Sequence, residues 1–497
     1  MSTLETATSE SATGIDLVRF GHIIDGQEIP SMSGEEFTSV DPYTRESWAV
    51  FPLGSKADAD SAVAAARRAF DEGPWPRMTS SERRRLINRF ADLIELHGDE
   101  LALADTRDMG KPIAQSRGND VSRTALNFRF FADHAHVSAS EVLPMDTPHH
   151  AYTRYDPAGV VVAIAPWNFP MMLESWKVAP ALAWGNTVVL KPAEDSPASA
   201  TIMARLALEA GIPPGVFNVV HGFGPDSVGE ALTSNPDVDR ITFTGESSTG
   251  KVIARAAASN LIPVSLELGG KGANIVFADA ELDNAIDWSI KAIYTNTGQV
   301  CLAGSRIYVE RPVFAEFTRR FVEAAEQMRL GDPKDPETQI GPLASNVHYE
   351  KVRGYVETIA ESGGDQVTGG LDDGWFIKPT VILEPDAGSR HQREEIFGPV
   401  VTITPFDSED EAIGLVNDSP YGLNAMLFTE DLSRAHRVSA ALVVGTVWVN
   451  CFFVRDLRAP FGGAKQSGVG REGGNFSREF FTEPKAIIMQ VDPSHSR

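Results

Sequence analysis

The strongest constraint on the fold is an alternation that begins at Gly159. Short runs of apolar, mostly β-branched residues alternate there with helical stretches, such as Ala198–Ala210, which ends before Gly211. Continuous apolar strands joined by helices are typical of a parallel sheet covered on both faces. The predicted strands are Val160–Ala165, Thr187–Leu190, Val216–Val220, Arg240–Phe243 and Pro263–Leu266. The sequence therefore predicts an α/β fold that includes a doubly wound, nucleotide-binding sheet.

A second alternating region begins near Asn274 and continues to about residue 466. Because a chain of 497 residues is too long for one hydrophobic core, we expect this region to be a second α/β domain. No Pro- or Ser-rich linker separates the halves, so the domains should pack tightly. The elements predicted outside the first sheet are the helices Ser55–Phe70, Ser81–Glu95 and Val313–Met328 and the strands Arg306–Val309, Val400–Thr404 and Ala486–Val491. The last strand has no obvious partner in its own domain, so we expect it to pair with another subunit.

Charge and cysteine content exclude several classes of function. The net charge of −24 disfavours nucleic acid and anionic membranes as partners. No apolar run is long enough to span a membrane. Residues 1–15 lack Arg and Lys, so they resemble no targeting signal and are predicted to be the disordered tail of a cytoplasmic protein. Two cysteines, Cys301 and Cys451, exclude a disulfide framework and a cysteine-based zinc site, and no metal is predicted.

The usual glycine fingerprint of dinucleotide binders is absent, because Gly222, Gly224 and Gly229 have the wrong spacing. Three other constellations carry chemistry. Asn168 lies in Pro166–Pro170, after the first predicted strand, and its amide can donate to an oxyanion. Glu267 ends the fifth strand before two glycines, and a buried glutamate is a capable general base. The third is Cys301, whose thiolate would be a nucleophile if a nearby helix start lowered its pKa.

Each of these residues also has an ordinary interpretation when it is taken alone. Asn168 could be a polar turn residue, Glu267 a solvated carboxylate at a strand end, and Cys301 an inert buried thiol. The three constellations belong, however, to a longer series of motifs. In chain order these are Pro166–Pro170, Lys191–Glu194, Phe243–Gly245, Glu267–Lys271, Gly298–Cys301, Glu395–Pro399 and Pro460–Gly463.

With this series, the chain resembles the aldehyde dehydrogenase superfamily from about residue 20 to residue 490. The resemblance implies a Rossmann-like NAD-binding domain that lacks the usual glycine loop, an α/β catalytic domain and a small β oligomerisation element. The implied boundaries are 16–134 with 156–269 for the first, 270–466 for the second, and 135–155 with 480–497 for the third. It also implies a homodimer or homotetramer, NAD as cofactor and a small aldehyde as substrate.

The resemblance assigns roles residue by residue. Cys301 matches the nucleophile, Glu267 the general base and Asn168 the oxyanion donor, and Lys177 with Glu472 match a proton path behind the base. Since Glu267 is present, water rather than coenzyme A is the expected acyl acceptor. The positions that match cofactor-binding residues are Ala165, Pro166, Trp167, Lys191, Ala193, Glu194, Phe243, Thr244, Gly245, Leu268, Gly269, Glu395 and Phe397. Among these, Lys191 and Glu194 are expected to hold the adenosine ribose.

One position departs from the family pattern. Many members have a serine after Phe243–Gly245 that contacts the pyrophosphate, whereas this chain has Glu246. A carboxylate should not face a phosphate, so we expect Glu246 to turn away.

The substrate prediction rests on arginines near Pro460–Gly463. By its spacing from that motif, Arg455 replaces an aromatic residue of members that use apolar aldehydes, and Arg458 follows it. These arginines, with Arg123 as a third, indicate a carboxylate receptor, although salt bridges with Asp456 are an alternative. The aromatic wall would be formed by Phe169, Phe452, Phe453 and Phe461.

The chain thus resembles the subgroup that oxidises hydroxymuconic- or aminomuconic-type semialdehydes. The alternatives are a dehydrogenase of aromatic or aliphatic aldehydes and, in a different class, an inactive crystallin-like scaffold.

Overall fold

The computed structural model describes residues 9–10 and 16–491. The predicted disordered tail over residues 1–15 therefore lies outside the described residues, except for the short strand Ser9–Glu10. In the described part of the chain, no helix is long and apolar enough to cross a membrane.

The first sheet has eight strands, and its five central strands are parallel, as the alternation predicts. Each predicted strand is confirmed to within one residue at either end. Three short antiparallel strands at the two edges were not predicted. In spatial order the strands are Gly468–Val469, Val264–Glu267, Arg240–Thr244, Val160–Ile164, Thr187–Lys191, Phe217–Val219, His22–Ile24 and Gln27–Ile29.

The strand order creates a binding crevice. Val160–Ile164 lies in the centre, with the next two strands of the chain on one side and Arg240–Thr244 on the other. The direction of winding reverses between Val160–Ile164 and Arg240–Thr244. Ligands of such sheets bind at the carboxyl ends of the two strands that flank this reversal. The motifs at Pro166–Pro170 and Phe243–Gly245 lie there.

The second sheet confirms the predicted second α/β region. Six of its seven strands are parallel, and the edge strand Asp365–Leu371 is antiparallel. In spatial order the strands are Asp365–Leu371, Ile377–Leu383, Val400–Phe406, Arg306–Glu310, Ala273–Val276, Asn424–Phe428 and Thr446–Val449. One cluster of buried apolar residues includes side chains from both sheets, such as Val161 and Ile307, which accords with tight packing of the two halves.

Three smaller sheets complete the strands. One contains Ser9–Glu10, Asp16–Arg19, Glu46–Pro52 and Glu36–Asp41, and another contains Tyr421–Gly422 and Ala464–Lys465. In the third, Thr482–Gln490 pairs along its whole length with His149–Pro157, and Val142–Leu143 pairs with the other edge. The last strand therefore has a partner in its own chain, more than 300 residues earlier in the sequence, and pairing of its other edge with another subunit stays a prediction.

The helices cover both faces of the two large sheets. Thr79 caps one of them: its hydroxyl accepts from the backbone N–H of Glu82, and the Glu82 carboxylate accepts from the backbone N–H of Thr79. The α-helices are Lys56–Asp71, Ser80–Leu96, Gly98–Met109, Ile113–Gln115, Ser122–Val137, Pro170–Ala183, Ala198–Glu209, Val228–Ser234, Ser247–Ala258, Leu282–Tyr294, Arg311–Glu326, Asn346–Glu357, Arg390–Arg393, Glu409–Asn417, Leu432–Ala441 and Gly474–Phe481. Shorter helical turns are Trp75–Arg77, Ser116–Val121, Thr295–Gly298 and Ile359–Ser362.

An acidic side chain is buried on the helix Pro170–Ala183. The carboxylate oxygens of Glu174 have no hydrogen-bond partner among the described residues, and the side chain is fully buried. Burial, followed by repulsion from Asp105 and Asp108, raises the pKa of Glu174 well above its usual value. Folding therefore favours the protonated form, and its stabilising contribution is lost as the pH rises through the raised pKa.

We expect Glu174→Gln to change how stability depends on pH. At pH 5 the melting temperatures of the variant and the wild type should be similar, because Glu174 is protonated in the folded protein. Between pH 6 and 9 the wild type should lose stability relative to the variant by about 1.4 kcal/mol for each pH unit below the raised pKa, because the unfolded chain releases the proton that the folded chain retains. Thermal unfolding across this range measures the difference. A constant difference at every pH would show that folding does not raise the pKa of Glu174.

Candidate active site

Cys301 lies in a loop that the preceding turn holds in place. Asn296 and Thr297 in this turn have left-handed backbone conformations, with φ of 49° and 57°. The Thr297 hydroxyl bonds to the backbone of Gly341, and a Cβ on Gly298 would lie 2.3 Å from the carbonyl of Gly398. Only glycine fits there. The half-buried Cys301 side chain is thereby fixed at the junction of two cavities, whose walls also share Thr244 and Leu268.

The electrostatic environment of Cys301 differs from the prediction. The residue does not begin a helix, so the helix start that would lower its pKa is absent. Burial and the nearby carboxyl groups of Glu395 and Glu267 raise the pKa of the thiol to about 12, and Arg455 opposes this shift. The thiol therefore keeps its proton at neutral pH until a base or a positive charge favours the thiolate.

Asn168 is buried beside Cys301, and hydrogen bonds hold its side-chain amide and its backbone carbonyl in place. Its Nδ2 donates to the carbonyl oxygen of Gln299 over 2.8 Å, and Asn296 Nδ2 donates to the Asn168 backbone carbonyl over 2.7 Å. One N–H of the Asn168 amide is thus used, and the other is available to a ligand. Because Asn168 and Cys301 line the same cavity, this second N–H can stabilise an oxyanion formed beside the thiol.

Glu267 ends the strand Val264–Glu267 in the cavity that contains Cys301. Neither carboxylate oxygen has a hydrogen-bond partner among the described residues. Burial and the charge of Glu472 raise the pKa of Glu267 well above its usual value, whereas Lys177, Arg455 and Arg471 lower it. A carboxylate with a raised pKa is a stronger base, which is the property needed to activate water near neutral pH.

A buried ion pair lies behind Glu267. Lys177 Nζ is 3.2 Å from Glu472 Oε1 and donates to the hydroxyl of Thr242 over 3.0 Å. Glu472 Oε1 also accepts from the Thr242 hydroxyl over 3.1 Å. Lys177 and Glu472 are therefore linked to each other and are electrostatically coupled to Glu267, an arrangement that suits a proton path.

Arg455 enters the Cys301 cavity between two aromatic rings. Its guanidinium carbon is 3.9 Å from the ring centre of Phe461 and 4.5 Å from that of Trp176. Burial and repulsion from Arg123 lower the pKa of Arg455 to about 10, so the group remains charged at neutral pH. The rings leave its edge free, and in the described part of the chain its N–H groups make no hydrogen bond or ion pair. Five donors are thus available to a ligand.

The other two predicted arginines differ from each other. Arg123 lies in the first turn of the helix Ser122–Val137, which packs against the Trp176 helix through a 2.9 Å hydrogen bond from Asn127 to Ser175. Arg123 is half-buried, and over residues 16–491 it has no ion pair or hydrogen bond. Arg458 instead is 77% exposed and pairs with Asp456, Nη2 to Oδ2 being 2.5 Å apart. Since Arg458 does not line the Cys301 cavity, its predicted role in substrate binding has no geometric support.

Aromatic rings also line the cavity that Cys301 shares with Arg455. Phe169 and Phe453 stack with their ring centres 6.5 Å apart, and both line the Cys301 cavity. Together with Val300 they also border a neighbouring cavity of about 650 Å³, which Phe452 lines as well. A planar chain that reaches Cys301 would therefore pass between aromatic faces.

The second cavity that Cys301 lines occupies the predicted crevice. It has a volume of about 260 Å³ and lies at the carboxyl ends of the strands Val160–Ile164 and Arg240–Thr244. Predicted residues from both strand ends and from the second α/β half line it, namely Pro166, Trp167, Thr244, Gly245, Leu268, Gly269, Glu395 and Phe397. The Trp167 ring packs against the Phe397 ring, 5.3 Å between centres.

Two glycines in this cavity wall let neighbouring side chains pack against the backbone. A Cβ on Gly269 would lie 2.1 Å from Glu395 Oε2, and one on Gly245 would lie 2.4 Å from the Phe243 ring. Glu395 Oε1 also accepts from the backbone N–H of Gly270 over 2.8 Å. The Glu395 carboxylate is therefore held over the Gly269–Gly270 backbone, where it faces the cavity.

Two other predicted cofactor residues lie one strand away. Lys191 ends the strand Thr187–Lys191, and its Nζ is 3.1 Å from Glu194 Oε2. Neither lines the 260 Å³ cavity, and neither do the neighbouring Ala165 and Ala193, although Asp195 does. Lys191 and Glu194 thus lie farther along the carboxyl edge of the sheet, where the far end of an extended dinucleotide would reach.

Several residues of the site were missed by the sequence reasoning. His348 and Lys351 line the 260 Å³ cavity from the helix Asn346–Glu357, Trp176 contacts Arg455, and Gln299 orients Asn168. Trp176 and Gln299 lie next to predicted residues, and Trp176 follows Phe169 at helical spacing, so proximity was a usable signal. No comparable signal marked the helix at Asn346. Within the described residues, no cluster of three or more metal-ligating side chains occurs.

Comparison with known proteins agrees with this geometry. The sequence model of the aldehyde dehydrogenase family matches residues 29–487. A 2-hydroxymuconic semialdehyde dehydrogenase of Pseudomonas sp. (strain CF600) is 47% identical over 482 residues, which cover 95% of this chain and 99% of that protein. A 2-aminomuconic 6-semialdehyde dehydrogenase of Pseudomonas sp. is 43% identical over 486 residues, 95% of this chain and 98% of that protein.

A solved structure gives the same result for the fold. The NAD⁺ complex of an aldehyde dehydrogenase from Bacillus cereus superimposes with a TM-score of 0.93 at 41% identity, and the match covers 95% of this chain and 97% of that chain. The family model, the two relatives and this structure each extend over nearly the whole chain. The chain therefore belongs to the aldehyde dehydrogenase family.

Proposed function

We propose that the protein oxidises a carboxylate-bearing semialdehyde to the corresponding acid, with NAD as the hydride acceptor and Cys301 as the covalent nucleophile. The substrate class is inferred from Arg455. Its charged guanidinium lies between two aromatic rings and lines a cavity that Cys301 also lines. A charge in such a position is costly unless a ligand of opposite charge binds to it. Two relatives of this chain are named for muconic semialdehydes, which agrees with this choice.

The 260 Å³ cavity suits the nicotinamide half of NAD. Gly269 lets the Glu395 carboxylate pack against the backbone and face the cavity, where it can accept hydrogen bonds from a ribose. Lys191 and Glu194 would hold the adenosine ribose farther along the sheet edge. Because a carboxylate at Glu194 repels a 2′-phosphate, NAD should be preferred over NADP. When bound, NAD supplies a positively charged acceptor for the hydride that leaves the substrate carbon.

The first half of the reaction belongs to Cys301 and Asn168. The Cys301 thiolate attacks the aldehyde carbon, and the Asn168 amide with the backbone N–H of Cys301 stabilises the resulting oxyanion. Loss of hydride from this adduct leaves a thioester on Cys301. The nearby positive charge of Arg455 favours formation of the thiolate, because it opposes the raised pKa of the thiol.

The second half of the reaction belongs to Glu267. Its carboxylate takes a proton from a water molecule, the water oxygen attacks the thioester carbon, and the Cys301 thiolate leaves as the acid forms. The proton can then pass from Glu267 toward Glu472 and Lys177, which are paired behind it. A base in this position favours water over coenzyme A as the acyl acceptor.

Arg455 and Arg123 together explain why the substrate should be an anion. The two guanidinium groups are close enough for Arg123 to lower the pKa of Arg455, and this mutual repulsion is relieved when a carboxylate binds between them. Phe169 and Phe453 would hold the planar chain that joins this carboxylate to the aldehyde.

The test compares a semialdehyde acid with a neutral aldehyde of equal length. We expect a kcat/KM about 10- to 150-fold higher for the acid, since a hydrogen bond to a charged group contributes roughly 1.5–3 kcal/mol. Arg455→Met should slow both aldehydes, because Arg455 favours the Cys301 thiolate, but it should slow the acid far more and so remove most of this preference. Arg123→Met should remove a smaller part.

Arg458→Met is the matched control for this experiment. It removes the same charge three residues away on the same loop, from a side chain that is exposed and paired with Asp456. The acid preference should persist in this variant. If it also persisted in the Arg455, Arg123 and double variants, the carboxylate-binding role would be refuted and an aromatic or aliphatic aldehyde would become the better substrate class. Absence of NADH formation with every aldehyde would instead favour an inactive scaffold.

The same proposal includes assembly and domain organisation. We propose that the three-stranded sheet formed by residues 135–155 and 480–497 joins copies of the chain into a dimer or tetramer. It presents exposed apolar side chains, which are typical of a contact surface: Val142, Leu143, Ile488, Met489 and Val491. Residues 492–497 of this element lie outside the described residues. The NAD-binding domain would comprise 16–134 and 156–269, and the catalytic domain 270–466.

A further inference from the structure

Glu246 stands at the start of a helix that borders the cofactor cavity. It follows the strand Arg240–Thr244 and precedes the helix Ser247–Ala258, and its side chain does not cap that helix. The side chain is 64% exposed and lines both the 260 Å³ cavity and an adjoining cavity of about 490 Å³. The expectation that Glu246 turns away from the cofactor site was therefore wrong. The Glu246 carboxylate lies at the mouth of the cofactor cavity, where the 260 Å³ and 490 Å³ cavities adjoin.

The partner of Glu246 comes from the opposite side of this mouth. Lys351 lies on the helix Asn346–Glu357, which packs with the second sheet, and it lines the same two cavities. Its Nζ is 3.9 Å from Glu246 Oε1. The ion pair therefore crosses the mouth of the cofactor cavity and connects the two α/β halves.

The position of this pair matters for an anionic ligand. The pyrophosphate of a dinucleotide is attracted to the N-terminus of a helix that follows a strand at the crevice, and Ser247–Ala258 is such a helix. A carboxylate at that helix start repels the phosphates. It also occupies Lys351, a cation that could otherwise pair with them.

We infer that Glu246 holds Lys351 at the mouth of the cofactor cavity and thereby weakens retention of the dinucleotide. The pair opens when the cofactor binds, Lys351 then contacts the pyrophosphate, and the carboxylate recaptures Lys351 as the cofactor leaves. Glu246 is thus a positioning residue that acts through Lys351. The inference rests on the proposed function, because it requires the 260 Å³ cavity to be the NAD site.

The first measurement is the Kd of NADH for the full chain, which is determined from the fluorescence of NADH. Because exposed ion pairs contribute little, we expect Glu246→Gln to lower the Kd by only about 2- to 5-fold. The dissociation rate in stopped flow should fall by a similar factor, since most affinity changes at one site appear in the dissociation rate. Lys351→Met should raise the Kd. Both effects should shrink at high salt. An unchanged or higher Kd in Glu246→Gln would overturn the inference.

The double variant tests whether Glu246 acts through Lys351. In the Lys351→Met background, Glu246→Gln should change the Kd by less than about 2-fold, since the residue that Glu246 holds is absent. An effect of undiminished size in that background would refute the holding role and assign the effect to direct repulsion. Glu281→Gln is the matched control, because Glu281 is also an exposed glutamate at a helix start but lies outside both cavities. It should leave NADH binding unchanged.

This design separates the inference from the proposed function. If the wild-type chain failed to bind NADH at all, the assignment of the cavity to NAD would fail first. If the wild type bound NADH and the Glu246, Lys351 and double variants bound it equally well, only the role of Glu246 would be refuted.

Discussion

Cys301→Ala is expected to lower the rate of NADH formation by at least about 10⁴-fold, which is the scale of loss when a covalent nucleophile is removed. No other thiol in the described part of the chain lines either of the two cavities that Cys301 lines, one with Glu267 and the other with Asn168, so no thiol there can replace it. Binding of NADH and the melting temperature should stay close to those of the wild type, because the side chain is small and only half-buried. Steady-state assays, NADH titration and thermal unfolding measure the three quantities.

Cys451→Ala is the control for this variant. Cys451 is also a half-buried free thiol, and it lies outside the cavities that adjoin Cys301. Most of the activity should remain. If Cys451→Ala were the inactive variant and Cys301→Ala the active one, the assignment of the nucleophile would be wrong, whatever the relatives of the chain use.

Local sequence patterns were enough to predict the parallel strands and the three central site residues. Asn168 and Glu267 directly follow or end strands, and the carboxyl ends of parallel strands meet at one edge of a sheet. Motifs placed at these ends therefore converge in space even when they are far apart in the sequence. Cys301 was predictable for a different reason: its motif matches a family whose chemistry requires a thiol.

The environment of each residue was less predictable than its identity. The pKa of Cys301 depends on Glu395 and Glu267, which are distant in sequence, and the motif gave no sign of their combined effect. The sequence analysis offered a helix start as the means of lowering this pKa, and the structure has no helix start at Cys301. A pKa shift depends on the distances to other charged groups and on burial, and a short motif specifies neither quantity.

The arginines near residue 455 illustrate the same limit. The sequence offered both Arg455 and Arg458 as carboxylate receptors and Asp456 as a partner for either. The conformation of the loop distinguishes the two arginines. Arg458 pairs with Asp456, whereas Arg455 lies between Trp176 and Phe461. Trp176 comes from a helix almost 280 residues earlier, so the choice is set by tertiary packing. The strand pairing of Thr482–Gln490 with His149–Pro157 was hidden for the same reason.

Glu267→Gln is expected to separate the two halves of the reaction. The amide has nearly the same size as the carboxylate but cannot take a proton from water, so the thioester on Cys301 should accumulate. One equivalent of NADH per active site should form in a rapid burst, followed by steady-state turnover lowered by about 10²–10⁴-fold, the usual contribution of a general base. Rapid-mixing absorbance measures the burst, and mass spectrometry of the quenched enzyme measures the acyl group on Cys301.

The surroundings of Glu267 make this outcome specific. Its oxygens have no hydrogen-bond partner among the described residues, so the substitution breaks no structural bond and the fold should be preserved. The residue also raises the pKa of Cys301, and its neutralisation should make thiolate formation easier, which leaves the first half of the reaction at least as fast. A large burst with slow turnover therefore identifies Glu267 as the hydrolytic base. Undiminished turnover would show that another group activates the water, and loss of the burst itself would show that Glu267 is needed for the attack of the thiol.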